Sequence, residues 1–192
     1  MNISWLVTGA LPAVSIPGIL LLLRSSHPHV HISPYVTYSA ERLVTRTTLE
    51  ALSNRPSSID TWGTGTSQIE NVALPTHIHL ETTNDAFVVA PASLDFVTRF
   101  TNHDCSTPFT LALQCTRKPI IIAPCLPPGG LESLAYRDAL VKIENWDNVH
   151  LLSPVHTVSS SLPNESSSGF GDPMRLIDFV LEKVSLVDGK DI

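Results

Sequence analysis

The sequence predicts an α/β domain, a mainly parallel sheet sandwiched between two layers of helices. Three observations predict it. Apolar runs of strand length alternate with helical patterns instead of hairpin turns. Two of those runs, Ala86 to Ala90 and residues 119–123, are apolar throughout, as strands covered on both faces are. The first of them runs straight into Pro91, Ala92 and Ser93, a turn of small residues at the end of the sheet where open α/β folds bind their ligands.

The elements follow in order. Residues 3–23 carry no charge, and their length would suit a membrane span or a signal peptide. No basic stretch precedes them, however, and Gly9, Pro12, Pro17 and Gly18 interrupt them, so they read as a buried strand (Ile3 to Thr8), a turn, and a buried helix ending near Arg24. Val30 to Thr37 alternates apolar and polar as a strand. Ser39 then opens a helix over residues 39–54 with a capping hydroxyl and a stripe at Leu43, Thr47 and Leu52. The strand Ala86 to Ala90 leads to a helix through Phe100, and residues 119–123 form a fourth strand ending at Pro124. Leu131 to Asn145 reads as a helix, Val149 to Leu152 as a strand, and Met174 to Val187 as the terminal helix.

Between these elements lie two stretches rich in Ser, Thr, Gly and Pro, residues 54–76 and 157–173. Composition alone makes the second a disordered linker; the ordered helix behind it tilts the reading toward a lid over a site. No internal repeat is visible. With 192 residues the chain suits one domain, 1–192.

Composition narrows the partners. Hydrophobic residues make up 43% and charged residues 16%, which would leave apolar surface facing water in a monomer, so a homo-oligomer is expected. A net charge of −6 without any basic run excludes phosphate-backbone neutralisation, hence no nucleic acid. Cys105, Cys115 and Cys125 cannot all pair, and their spacing matches no metal motif. They read as reduced thiols of a cytoplasmic protein, two of them in or beside a core, with Cys125 falling next to the proposed site. His27, His29 and His31 could share a strand face, but no carboxylate or thiolate completes a metal site, and no metal is expected. His77, shortly before the strand that ends at the small-residue turn, is the titratable group best placed for chemistry; a surface histidine is the plain alternative. His79 would point the opposite way in an extended segment and reads as structural.

The stretch AFVVAPASLDF, with Pro91, Ala92 and Ser93 in the place of a PASANT-like motif, resembles the homo-oligomeric flavin-containing cysteine decarboxylases. That family includes the lantibiotic cysteine decarboxylases and the phosphopantothenoylcysteine decarboxylases. The resemblance implies a Rossmann-like or flavodoxin-like three-layer sandwich, an FMN cofactor, and a trimer or dodecamer. It places Gly9 and Ala10 at the turn that cradles the flavin phosphate, with Thr37 and Ser39 reaching it from a Thr-x-Ser-Ala segment, and Ala90, Pro91, Ala92, Ser93 and Asp95 beside the flavin. A plain helix cap remains the other reading of both Ser39 and Asp95. Ala10 and Pro12 stand where epidermin-type enzymes carry serines, and Asp95 replaces the motif's asparagine.

The same resemblance implies the reaction. His77 would take the thiol proton of a precursor peptide's C-terminal cysteine or hold the thiolate; oxidation to a thioaldehyde then lets CO2 leave, giving an aminoenethiol. This is the step behind aminovinyl-cysteine in lantibiotic and linaridin peptides. The family's PxMNxxMW segment holds the substrate carboxylate with an asparagine, but here Pro127 stands in that place. Cys125 and a nest of backbone amides at Gly129 and Gly130 are the expected substrate contacts, with a flexible turn as the other reading of the two glycines. The family's clamp corresponds to residues 157–173. These contain no cysteine, the residue phosphopantothenoylcysteine decarboxylases use there to reduce the enethiol, so the peptide-modifying branch, of cypemycin or thioamide-peptide type, is favoured over coenzyme A synthesis. A non-catalytic flavin-binding regulatory subunit is the reading from another class. A flavin prenyltransferase is a third, without identifiable contacts to a prenyl phosphate.

Overall fold

The computed structural model describes residues 1–62, 75–158 and 166–188. Six parallel strands, β1 (Asn2–Val7), β2 (His31–Val36), β3 (Ser58–Ile59), β4 (Ala86–Ala92), β5 (Ile120–Pro124) and β6 (Val149–Leu151), lie in the order β3-β2-β1-β4-β5-β6. This is the Rossmann order, in which the chain winds outward from β1 to one edge and then returns to β4 and winds to the other.

Each central strand splits its side chains between two cores, which is why β4 and β5 are apolar throughout. Ile3, Trp5, Val7, Val88 and Ile121 pack under α1 (Ile16–Ser26), α2 (Arg46–Ser53) and α7 (Pro173–Asp188). Leu6, Phe87, Val89 and Ile122 pack under α3 (Thr76–Thr83), α4 (Leu94–Thr101), α5 (Pro108–Cys115) and α6 (Leu134–Ile143). A small antiparallel hairpin, β7 (Val155–Val158) and β8 (Ser166–Gly169), stands apart from the sheet. It is tied to the segment after β5 by backbone bonds in both directions between Leu126 and Ser168. Among the described residues no helix is long and apolar enough to cross a membrane.

Several expected boundaries move, each for a local reason. The helix expected from Ser39 begins at Arg46: residues Ala40–Arg42 form only a 3-10 turn, and Thr45, not Ser39, caps the helix by accepting from the Thr48 amide. The segment holding His77 and His79 is the helix before β4, not the extended run in which His79 would point the opposite way. Only Leu80 of it is fully buried, so the apolar stripe that would have announced it is missing. Helix α5 went unforeseen although Thr107 and Pro108 announce it, the threonine closing a reciprocal capping box with Thr110 and the proline standing at the first turn. Residues 157–173 are neither wholly linker nor wholly loop, since β8 lies within them; 159–165 and 63–74 fall outside the described residues. Of the three thiols only Cys125 is buried, while Cys105 and Cys115 are exposed.

Candidate functional site

After β1 the chain turns to one face of the sheet, and after β4 to the other. A cleft of about 720 Å³ opens at this divide. Its walls are the turn after β1 (Gly9 to Ser15), the start of α4 (Ser93 to Asp95), the segment after β5 (Cys125 to Pro128), and the hairpin with its exit (Thr157, Ser167 to Gly171). Leu11, Pro12, Val14, Leu94, Leu126 and Phe170 make much of this wall apolar, suited to a flat ring, and the volume suits a cofactor-sized ligand.

The small-residue turn is held from below by two residues that the sequence reading passed over. The Trp5 Nε1–H donates to the Ala90 carbonyl at 2.8 Å, and the Thr8 hydroxyl donates to the Pro91 carbonyl at 2.7 Å while accepting from the Ser93 amide at 2.8 Å. Ala90, Pro91 and Ala92 are buried within β4, whose register against β5 shifts between Val89 and Ala92. They lie behind the cleft and do not line it; of the small-residue turn only Ser93 does. Ser93 lines it and caps α4, accepting from the Phe96 amide at 3.2 Å. The cap is therefore Ser93, and Asp95 sits exposed in the first turn, 3.5 Å from Arg99.

At the amino-terminal wall, Gly9 lies so close to Ser39 that a Cβ on it would come within 2.3 Å of the Ser39 Oγ and 2.5 Å of its Cβ. Here only a glycine fits. The Ser39 hydroxyl stands 3.0 Å from that of Thr37, on the exposed side of the turn, so that Gly9, Thr37 and Ser39 form a polar corner next to the cleft. The Ala10 amide is bonded to the Thr8 carbonyl at 2.8 Å, which holds the turn tight.

The other expected residues divide. Cys125 lines the cleft, and burial pushes its thiol up to about 12, so it is a protonated packing group at neutral pH. Gly129 and Gly130 do not line it. Gly129 takes a positive φ of 73° in a turn closed by the Gly130 amide on the Pro127 carbonyl at 2.8 Å, so one of the two amides expected for a nest is already bonded. His77 is absent from the lining as well. It sits half-buried in the first turn of α3, edge-to-face with Trp62 at 5.8 Å, and its Nδ1 finds no partner among the described residues. A helix that leads back into a parallel strand has its amino end at the carboxyl edge of the sheet, so His77 faces the same rim as the cleft without reaching it.

A second group at that rim gave no sequence signal. Asp60, just beyond β3, is 7% exposed and accepts from the Thr107 hydroxyl at 2.6 Å and the Phe109 amide at 2.9 Å. Its carboxyl is raised above the usual range because burial outweighs those two bonds. It anchors the start of α5 and takes no part in the cleft.

The family model for Flavoprotein matches residues 1–185. The chain belongs to this flavoprotein family. A curated relative, cypemycin cysteine dehydrogenase (decarboxylating) from a Streptomyces species, is 27% identical over 169 residues, 87% of this chain and 84% of that protein. Two solved structures share the fold: the FMN-dependent cysteine decarboxylase SpaF, with 19% identity, a TM-score of 0.72 and coverage of 94% of this chain and 97% of that one; and a mutant PPC decarboxylase complexed with pantothenoylaminoethenethiol, with 15% identity, a TM-score of 0.76 and coverage of 97% and 98%. The residues present fit a flavin. Gly9 lets the turn after β1 close on Ser39 where no Cβ has room, the hydroxyls of Thr37 and Ser39 stand together there, and the apolar wall begins at Leu11 and Pro12 and reaches Ser93 and Leu94.

Proposed function

We propose that the protein is an FMN-dependent decarboxylase that acts on the C-terminal cysteine of a precursor peptide and yields an aminoenethiol, the precursor of an aminovinyl-cysteine unit in a lantibiotic- or linaridin-like product. The observation that carries the reading is the cleft at the β1/β4 divide, with its glycine cradle at Gly9, in a chain whose family membership spans residues 1–185. The curated cypemycin relative and the SpaF fold point to this chemistry rather than to another flavin reaction.

Bound FMN supplies a two-electron acceptor for the substrate's Cα–Cβ–S unit. Everything else falls to the chain. Gly9, Thr37 and Ser39 would hold the phosphate; Ser93, its amide fixed by the Thr8 hydroxyl, would border the ring; and the apolar wall would keep water from the reacting carbon. His77 holds the substrate thiol proton or takes it. Since His77 is not in its own chain's cleft, this role requires the His77 of a second copy, which fits a homo-oligomer. Ile78, Trp62 and Tyr38 are exposed at 39%, 53% and 64%, and Leu11 and Val14 beside the cleft at 44% and 55%, giving each copy apolar surface at both places.

A phosphopantothenoylcysteine-type reaction is the second reading, favoured by the shared fold. The absence of cysteine from residues 157–173 speaks against its reductive step and for an enethiol product. The test is to load the protein with FMN and compare it with His77→Asn on a cysteine-ended peptide. The proposal expects the variant to keep its flavin spectrum and lose turnover by at least about a hundredfold; equal turnover would remove His77 from the mechanism.

A further inference from the structure

Two buried polar atoms on α3 lack hydrogen-bond partners among the described residues, and they belong to side chains one helical turn apart. They are Nδ1 of His77 and Oε2 of Glu81. Side chains at i and i+4 lie on one face of a helix with their Cβ atoms about 5–6 Å apart, and the later one leans back over the earlier. An imidazole N–H and a carboxylate oxygen are complementary donor and acceptor at that spacing. No hydrogen bond joins them as they stand.

Helix stability does not explain the pair. A carboxylate in the last turn sits at the negative end of the helix dipole, and an imidazole that gains a proton in the first turn sits at the positive end, the reverse of the favourable order. Lys118 offsets the carboxylate: its Nζ donates to the Glu81 and Asn84 carbonyls at the end of α3 and stands 3.9 Å from Glu81 Oε1. Glu81 is thus anchored through one oxygen while the other stays unengaged. The remaining titratable groups near α3 are placed otherwise. His79, two residues on, lies round the helix from His77. Helix α5, which packs on α3, carries no charged side chain, and its terminal Cys115 is exposed. Asp60, two residues before the Trp62 that touches His77, spends one carboxyl oxygen on Thr107 and the other on Phe109.

We propose that Glu81 is a positioning residue for His77: a side-chain rotation brings Oε2 onto the Nδ1–H, fixing the tautomer and leaving Nε2, at the outer tip of the half-buried ring, to accept a proton. In the reaction the substrate S–H bond breaks, its proton goes to Nε2, its electron pair stays on sulfur, and the imidazolium keeps its Nδ1–H on the carboxylate. The inference rests on the proposed role of His77 as the group that takes the thiol proton. Its test separates the two.

Long-range proton–nitrogen NMR of the FMN-supplemented protein at alkaline pH, where imidazoles are neutral, reads which ring nitrogen carries the proton; the His77 signal is the one missing from His77→Asn. The native chain is expected to hold His77 as the Nδ1–H tautomer. Glu81→Met keeps the length and the helix propensity of the side chain but has no oxygen to accept, so there the Nε2–H form should prevail. With the cysteine-ended peptide, kcat of this variant should fall by about tenfold or more and KM stay within about twofold, a loss in proton transfer and not in binding. A merely structural role would leave the tautomer where it was. His77 as Nε2–H in the native chain, a tautomer unchanged in Glu81→Met, or an unchanged kcat would each overturn the proposal. The first of these needs no variant at position 81, so it decides even where Glu81→Met does not fold. If the tautomer shifts as expected but the native protein consumes no cysteine-ended peptide, the decarboxylase reading falls and the pairing of His77 with Glu81 stands.

Discussion

Replacing Gly9 by alanine adds one methyl group, and the structure fixes what that methyl must meet. It would come within 2.3 Å of Ser39 Oγ, 2.5 Å of its Cβ and 3.2 Å of its carbonyl carbon. The hydroxyl could rotate away, but the Cβ and the backbone cannot, so the two turns must separate. Overpacking of this kind costs about 1–3 kcal/mol, which for a domain of this size lowers Tm by about 2–12 °C. The same separation spreads the polar corner of Gly9, Thr37 and Ser39, so FMN should bind at least about tenfold more weakly. Gly18 supplies the control within the same protein. It lies exposed on α1 with nothing within 4 Å of a built Cβ, so Gly18→Ala should stabilise by about 0.5–1 kcal/mol through helix propensity. Thermal melts of the two variants should therefore move in opposite directions, and adding Ser39→Gly to Gly9→Ala should restore most of the lost Tm. If Gly9→Ala melts like the native chain, or the second substitution rescues nothing, the close approach of the two turns is not what positions the site.

Further predictions concern groups in the cleft and beyond it. Thr8→Val removes the bonds to the Pro91 carbonyl and the Ser93 amide at a buried position, and urea melts should show a loss of about 1–3 kcal/mol together with weaker FMN binding. A thiol-specific reagent at neutral pH should titrate Cys105 and Cys115 in the folded protein and Cys125 only after denaturation. Because folding raises the Cys125 thiol from 9.0 to about 12, its contribution is complete below pH 9 and is lost as pH rises toward 12; Cys125→Ala should flatten that alkaline loss. The Asp60 carboxyl is also raised by burial, so its contribution is present on the acid side and diminishes as pH rises through its folded value. Asp60→Asn should flatten the dependence of the urea midpoint between acid and neutral pH.

The central sheet was legible because strands covered on both faces are apolar at every position, as in Ile120 to Ala123, and the turn at Pro91 to Ser93 was legible because small residues at a strand end have few other uses. Helix α3 was not legible: it buries a single leucine and exposes Ile78, so nothing repeats at helical spacing. The hairpin strand at Ser166 to Gly169 hid in a serine-rich run because its pairing is with backbone, including that of Leu126, and needs no apolar pattern. The same reason concealed the support beneath the site. Trp5 reads from sequence as a core aromatic and Thr8 as a strand end, and only the three-dimensional register brings their donors to the carbonyls of Ala90 and Pro91. His77 shows the converse limit, since its chemistry is plain from its type while its distance from the cleft depends on how the chain folds and associates.

The most direct test of the account is mass spectrometry of peptides incubated with the FMN-loaded protein. One peptide ends in cysteine with a free carboxylate; the others end in serine or in cysteine amide. The account predicts that the first alone becomes lighter by one CO2 and two hydrogens. A cysteine-ended peptide recovered unchanged from protein whose flavin is bound, or an equal change in the serine or amide peptide, would contradict it.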